Sequence, residues 1–335
     1  MRRHRRSPLN KLLATGIFAV MLVAGAMLAV QHWENRTAVT VQNAGEQMTS
    51  IKETAEGAHV FTNGRWYAPR KVETMLLIGI DEFGTPGETN SYNNTSQADF
   101  LALYVHDLEA DRGSVIHLNR DTMADITVLG VTGENAGTRR AQLALAYNYG
   151  SGGSVSSNNT ADAVSRLLYG VPIDHYLTVT MNAIPVLNDW AGGVTLEVQD
   201  DFSALDASLA KGQTVTLMGN QALTYVRTRY GMDDSSNLQR MTRQRQYASA
   251  WMEAARPLLA DRAAVGELVM QLSDYHHSDC TADKLNDFAQ MLGKNETISI
   301  CEIPGQARLG ELYMEYYADD AAIQQMVLEL FYTPV

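Results

Sequence analysis

The sequence predicts a layered α/β fold, and three observations carry that expectation. Short apolar runs of strand length end abruptly in polar residues. Strand-like and helix-like segments then alternate between about residues 140 and 200. Finally, a long segment from Asn237 to about Leu259 has helical character and carries a group of arginines. The chain has 335 residues, 45% of them hydrophobic and 19% charged, which is enough for a large core.

The amino terminus reads MRRHRRSPLNK (1–11), followed by an uncharged apolar run from Leu12 to Val30. As a helix this run would span about 28 Å, close to the hydrocarbon thickness of a bilayer. The basic flank predicts a cytoplasmic amino terminus and an outside location for the rest, with the folded domain extracytoplasmic and 12–30 as a single-pass transmembrane anchor. A cleaved signal peptide is the alternative, since Ala24-Gly25-Ala26 offers a small-residue site. Five of the 26 basic residues precede Val30 and none of the 38 acidic ones does, which leaves the exported part at a net charge of −17. So acidic a domain does not suit a nucleic-acid partner. The two cysteines, Cys280 and Cys301, both fall outside the membrane, where a disulfide and two free thiols are each compatible with the sequence. CxxC, HExxH, P-loop and GxSxG patterns are absent.

In chain order, residues 31–70 are polar and interrupted by glycines, and read as a stalk with one short helix. The folded domain is expected over 71–260, with 261–335 completing it or forming an add-on around the cysteines. Glu73–Ile80 reads as a buried strand, followed at once by Asp81 and by a long loop rich in Gly, Asn, Ser and Thr. Asp99 opens a second strand, DFLALYVHD, and SVIHLN is a third, ending at Asn119-Arg120-Asp121-Thr122. Arg140–Tyr149 and Thr160–Tyr169 read as helices separated by a flexible loop, GSGGSVSSNN. Ile173–Thr180 is a strand, Asn182–Trp190 a helix, Gly193–Val198 a strand, Gly219–Tyr225 a short helix and Asn237–Leu259 a long one. A helix near 282–292, a strand at 297–303 and a helix around 319–331 complete the chain.

Residues 225–246 hold Arg227, Arg229, Arg240, Arg243 and Arg245. On a helix Arg240, Arg243 and Gln244 share a face, and the intervening GMDDSSN favours a turn that folds the two halves together. Such a guanidinium cluster suits bidentate capture of phosphate oxygens, with a solvated basic helix as the alternative. Asp81 and Arg120 each follow a strand, where ligand sites gather in open α/β sheets. Carboxylates at Asp81 and Asp99 suit a hard divalent ion shared with substrate phosphates. Local pairing and capping would equally explain Asp81, Asp99 and Asp121.

The blocks LLIGID, QADFLAL, HLNRDT, AYNYG, YGVPIDHYLTVTMNAI, AGGVTLEV, GNQALTYVRTR and LQRMTRQRQ, in that order over about residues 72–250, resemble the LytR-CpsA-Psr family. The resemblance implies an α-β-α sandwich with a central mixed sheet, in a membrane-anchored extracytoplasmic transferase. Such enzymes move glycopolymers, of the teichoic acid or capsular polysaccharide type, from a polyprenyl-pyrophosphate carrier to peptidoglycan. By motif, Asp81 and Asp99 resemble the magnesium ligands, and Arg120, Arg227, Arg229, Arg240 and Gln244 the residues that hold pyrophosphate, with Arg243 as an adjunct. Asp99, and after it Asp121, is the expected general base, with Arg120 beside them in the catalytic group. Two positions depart from the family pattern: Phe83 and Gln97 stand where arginines are usual, which is expected to weaken donor binding or to suit a less charged donor. Hydrolysis of the lipid pyrophosphate and non-catalytic binding of a lipid-linked glycan are the alternative readings.

Overall fold

The computed structural model describes residues 50–335 except 55–56, 63, 89–94, 131, 229–236, 295–297 and 312. The expected anchor over 12–30 and Arg229 lie outside the described residues. Among the described residues no helix is long and apolar enough to cross a membrane.

The chain divides into two units, one of residues up to Ala68 with Pro334–Val335 and one of Pro69–Thr333. Within the segment expected to be a stalk with one short helix, the described residues of 50–69 form strands, and 31–49 lie outside the described residues. Strands β1 (Ser50–Thr54), β2 (Gly57–Thr62) and β3 (Arg65–Pro69) form an antiparallel meander. The turn between β2 and β3 carries Gly64 at φ +77°, a backbone that favours glycine. Phe61 and Trp66 meet across that pair with ring centroids 5.3 Å apart.

In the large unit β4 (Val72–Ile80), β5 (Ala98–Asp107) and β6 (Arg112–Leu118) pair antiparallel. Next come the hairpin β7 (Met123–Leu129) and β8 (Asn135–Gln142), then helices α1 (Leu145–Asn148) and α2 (Gly153–Leu167). Strand β9 (His175–Val179) returns parallel to β4 and leads to α3 (Ala183–Trp190). An antiparallel pair follows, β10 (Val194–Glu197) with β11 (Thr214–Leu217). Helices α4 (Asn220–Arg227), α5 (Asn237–Leu259) and α6 (Arg262–Gln271) lead to β12 (His276–Ser278), α7 (Ala282–Lys294) and β13 (Ser299–Glu302). The hairpin β14 (Gly305–Leu309) and β15 (Met314–Ala318), helix α8 (Asp320–Phe331) and β16 (Tyr332–Pro334) end the chain.

The central sheet runs β12-β9-β4-β5-β6-β13, and it is mixed: β9/β4 and β6/β13 are parallel, the other pairs antiparallel. Alternate residues of its strands face opposite layers. Leu76, Ile78, Leu101, Leu103 and Ile116 pack with Val164 of α2 and Val327 of α8. Met75 and Tyr104 point the other way, against Phe288 of α7. Burial on both faces is why β4 and β5 read as nearly continuous apolar runs. The α-β-α expectation therefore holds for the large unit. Residues 261–333 belong to it, since they supply two strands of the sheet and helices to both layers.

Two local expectations are corrected, and one open question about the cysteines is answered. Residues 140–149 open on the end of β8 rather than on a helix, and only α1 is helical. The segment read as a flexible GSGGSVSSNN loop is mostly the first half of α2. Its hydroxyls are buried and satisfied: Ser157 Oγ donates to the Gly153 carbonyl and Thr160 Oγ1 to that of Ser156, each at 2.8 Å. Gly152, at φ +86°, sits where a Cβ would meet the Gly87 carbonyl oxygen at 2.1 Å. Lastly, the two cysteines are free thiols; Cys280 follows one edge strand, β12, and Cys301 lies on the other, β13.

Candidate active site

The site forms where β4 and β5 meet the turn after β6 and the start of α5. Gly79 pairs with Phe100 and Ile80 with Ala98, so Asp99 is an extra residue on β5, a β-bulge. The bulge lets Ala98 join the same core as Leu101 while Asp99 turns toward the arginines. One Asp99 oxygen contacts Arg120 Nη1, and the other accepts from Arg240 Nη1 at 3.0 Å. All three groups are largely buried, with side-chain exposures of 12%, 9% and 2% for Asp99, Arg120 and Arg240.

Each guanidinium is steered further. Arg120 Nη2 donates to Gln97 Oε1 at 2.6 Å, and its Nε lies 3.4 Å from Asp121. Arg240 Nη2 donates to Asn237 Oδ1 at 2.7 Å. Asn119 closes the turn that carries Arg120: its Oδ1 accepts from the Asp121 N–H at 2.9 Å and from Asn237 Nδ2 at 2.6 Å. Asp121 also accepts from Gln142 Nε2 at 3.2 Å. Asp81 joins the cluster through Gln97. Its N–H donates to the Gln97 carbonyl at 3.1 Å, and its carboxylate accepts the Gln97 N–H at 2.6 Å.

Arg227 ends α4 and is exposed, with its guanidinium 5.3 Å from the centroid of the Phe83 ring. Gln244 donates to the Val226 carbonyl at 3.4 Å. Arg243, expected beside them, stands elsewhere. It is 1% exposed, pairs with Asp200 at 2.8 Å, donates to the carbonyls of Tyr225 and Thr228, and lies 5.1 Å from the Phe202 ring centroid. Its partners make it part of the core around Tyr225 and Phe202, because three residues along a helix is close to, but not, a full turn.

Asp99, Arg227, Arg240 and Gln244 also line a cavity of about 550 Å³. Its other walls are mostly apolar, with Met75, Leu77, Tyr104 and Leu177 from the sheet and Phe288 and Leu292 from α7, and they also include Glu253 and Arg256 of α5 and His276. The strand register puts Gly79 and Phe100 at the arginine end and Met75 and Tyr104 at the other. Next to the arginines lies His117, whose pKa is pushed down to about 3, first by burial and then by Arg245 and Arg240. It adds no charge to the cluster at neutral pH.

A hard cation takes oxygen ligands. Asp81 fits that demand, with an exposed carboxylate, one oxygen of which is engaged by Gln97. Asp99 has both oxygens on guanidinium groups. Of the residues picked out in the sequence, Asp81, Asp99, Arg120, Asp121 and Arg240 are thus linked, and Arg227 and Gln244 line the adjoining cavity. Asn119, Asn237 and the coupling role of Gln97 were missed, though Asn119 lies within the NRDT motif itself.

The LytR_cpsA_psr family model matches residues 35–331. A protein of Oceanobacillus iheyensis named polyisoprenyl-teichoic acid–peptidoglycan teichoic acid transferase TagU is 25% identical over 265 residues, 79% of this chain and 77% of its own. The protein of that name from Bacillus mycoides is 23% identical over 322 residues, 94% of each chain. Among solved structures, TagT bound to LI-WTA superposes with a TM-score of 0.58 at 19% identity, covering 86% of this chain and 96% of that one. The chain belongs to the LytR-CpsA-Psr family.

Proposed function

We propose that this chain transfers a glycopolymer, of the kind its relatives are named for, from a polyprenyl-pyrophosphate carrier to peptidoglycan. The observation that carries the reading is a mostly apolar cavity with Arg227 and Arg240 together at the end beside Asp99. Its volume is typical of small-ligand sites, which range over about 300–1,000 Å³. An apolar walled space that ends in guanidinium groups matches a ligand with a hydrocarbon tail and an anionic head.

In this reading the tail lies against Met75, Leu77, Leu177 and Phe288. The pyrophosphate replaces Asp99 as the partner of Arg120 and Arg240, and Arg227 takes further charge. Asp99, released from the arginines, accepts the proton of an acceptor sugar hydroxyl. That oxygen forms a bond to the phosphorus bearing the glycan, the P–O bond to the second phosphate breaks, and polyprenyl phosphate leaves. Asp121 holds Arg120 from the side of Nε throughout. Magnesium, when bound, would be held by Asp81 with phosphate oxygens and would neutralise charge on the pyrophosphate. The apolar run Leu12–Val30 would keep the chain at the membrane where such a carrier resides.

The test is incubation of the full-length chain with a synthetic polyprenyl-pyrophosphate oligosaccharide and peptidoglycan fragments, with and without magnesium, followed by mass spectrometry. Sugar phosphate attached to peptidoglycan, with polyprenyl phosphate released, is the expected result. Release without attachment would replace transfer by hydrolysis, and intact donor would reduce the chain to a binding protein.

A further inference from the structure

A second constellation lies at the other end of the central sheet. His175 opens β9, and Asp279 and Cys280 directly follow β12. One ligand atom from each lies within 4.8 Å of the others. Strand register puts His175 opposite Met75, near the start of β4, whereas Asp81 follows its last residue. The two groups are therefore separated by most of a strand's length.

We propose that His175, Asp279 and Cys280 form a metal site of the zinc class. Imidazole, carboxylate and thiolate together are a donor set for a borderline ion such as zinc, whereas magnesium takes oxygen donors. The spacing agrees with this chemistry. His175 Nδ1 and Asp279 Oδ2 are 3.4 Å apart. That is beyond the usual N–H···O length of about 2.7–3.2 Å. Tetrahedral bonds of about 2.0–2.3 Å around one ion would hold neighbouring donor atoms roughly 3.3–3.6 Å apart.

A backbone N–H orients one of the donors, in the way metal ligands are commonly held. The second Asp279 oxygen accepts the Tyr176 N–H at 2.9 Å. His175 Nε2 faces Glu73 Oε1 at 4.0 Å, and Glu73 is itself bound by Lys284. The His175 ring meets Phe288 edge-on, with centroids 5.8 Å apart. Burial pushes the Cys280 thiol above its ordinary range, so the ion would displace a proton from sulfur on binding.

The position suggests what the ion would do. Asp279 and Cys280 form the approach to α7, and α7 carries Leu285, Phe288, Ala289 and Leu292 of the cavity wall. A metal joining them to His175 would tie that wall to β9. The site stands on its own donors and does not depend on the proposed transfer reaction.

Cobalt(II) titration of the full-length chain tests the assignment, because a cobalt–thiolate bond gives a charge-transfer band. The band should appear, be displaced by zinc, persist in Cys301→Ser and vanish in Cys280→Ser. Asp279→Asn and His175→Gln should each weaken cobalt affinity by at least about tenfold. Zinc should raise the melting temperature of the wild-type chain and leave Cys280→Ser unchanged, both starting from the same value in chelator. Should Cys280→Ser fail to fold, the affinities of Asp279→Asn and His175→Gln decide. No band, a band that survives Cys280→Ser, or affinities unmoved in both other variants would leave only a loose histidine–carboxylate hydrogen bond beside a thiol.

Discussion

Gln97 Oε1 accepts a 2.6 Å hydrogen bond from Arg120 Nη2, while the backbone of the same glutamine is bonded in both directions to Asp81. One residue thus fixes a guanidinium of the cluster and the candidate metal carboxylate together. The sequence alone made position 97 a missing positive charge. In the fold, a third guanidinium there would face Arg120, which already shares Asp99 with Arg240.

Gln97→Ala is expected to lower transfer roughly 10- to 100-fold by letting Arg120 and Asp81 drift. The lost hydrogen bond to a charged group should cost stability about 1.5–3 kcal/mol. Transfer assays beside denaturant melts check both; unchanged turnover would remove Gln97 from the site's support.

Arg243 and Arg227 should separate cleanly. Arg243→Ala strands Asp200 in the core and is expected to destabilise the fold by about 3–5 kcal/mol. Among the described residues Arg227→Ala loses an exposed contact with Phe83, worth under about 1 kcal/mol, and it should retain the fold while losing donor affinity. Equilibrium unfolding of both variants, with donor binding to the second, distinguishes the roles.

Filling the cavity should act on the tail and not on the head. Ala289 lines the wall from α7. Ala289→Trp is expected to abolish turnover of a long-chain donor, to affect a short-chain one far less, and to cost about 1–3 kcal/mol of stability, as a small-to-large change does. Equal loss for both donors would speak against the cavity as the tail site.

His117 predicts a pH dependence of stability. The unfolded chain takes up a proton at this residue near pH 6.5, whereas the folded imidazole stays neutral until about pH 3. Between those values the unfolded state binds more protons, so stability falls as pH drops through this window. The loss at about pH 5 is of order 2 kcal/mol. His117→Gln should flatten that part of the curve relative to wild type; identical slopes would rule out His117 as its source.

Much of this was legible in the sequence, because strands β4, β5 and β6 and helix α5 announce themselves by apolar run length and helical spacing. Asp99 and Arg240, both singled out in the sequence, are in contact in the fold, but the bulge that turns Asp99 toward Arg240 has no sequence signature, since it arises from a one-residue slip against Gly79. Arg243 shows the opposite failure. Helical spacing placed it with Arg240, and only the packing of Asp200, Phe202 and Tyr225 assigns it to the core. Helix α2 was hidden by composition: Ser156, Ser157 and Thr160 look like loop residues until the Gly152 N–H, two backbone carbonyls and Thr178 are found to satisfy them.

Photocross-linking most directly tests the claim that the cavity holds a prenyl tail with its pyrophosphate at Arg120 and Arg240. A polyprenyl pyrophosphate with a diazirine in the tail would be irradiated with the full-length chain and the labelled peptides sequenced. The account predicts label on β9 and α7, around Leu177, Phe288 and Leu292, competed by unlabelled donor and lost in Arg240→Ala. Label confined to other segments, or insensitive to competitor and to Arg240, would contradict it.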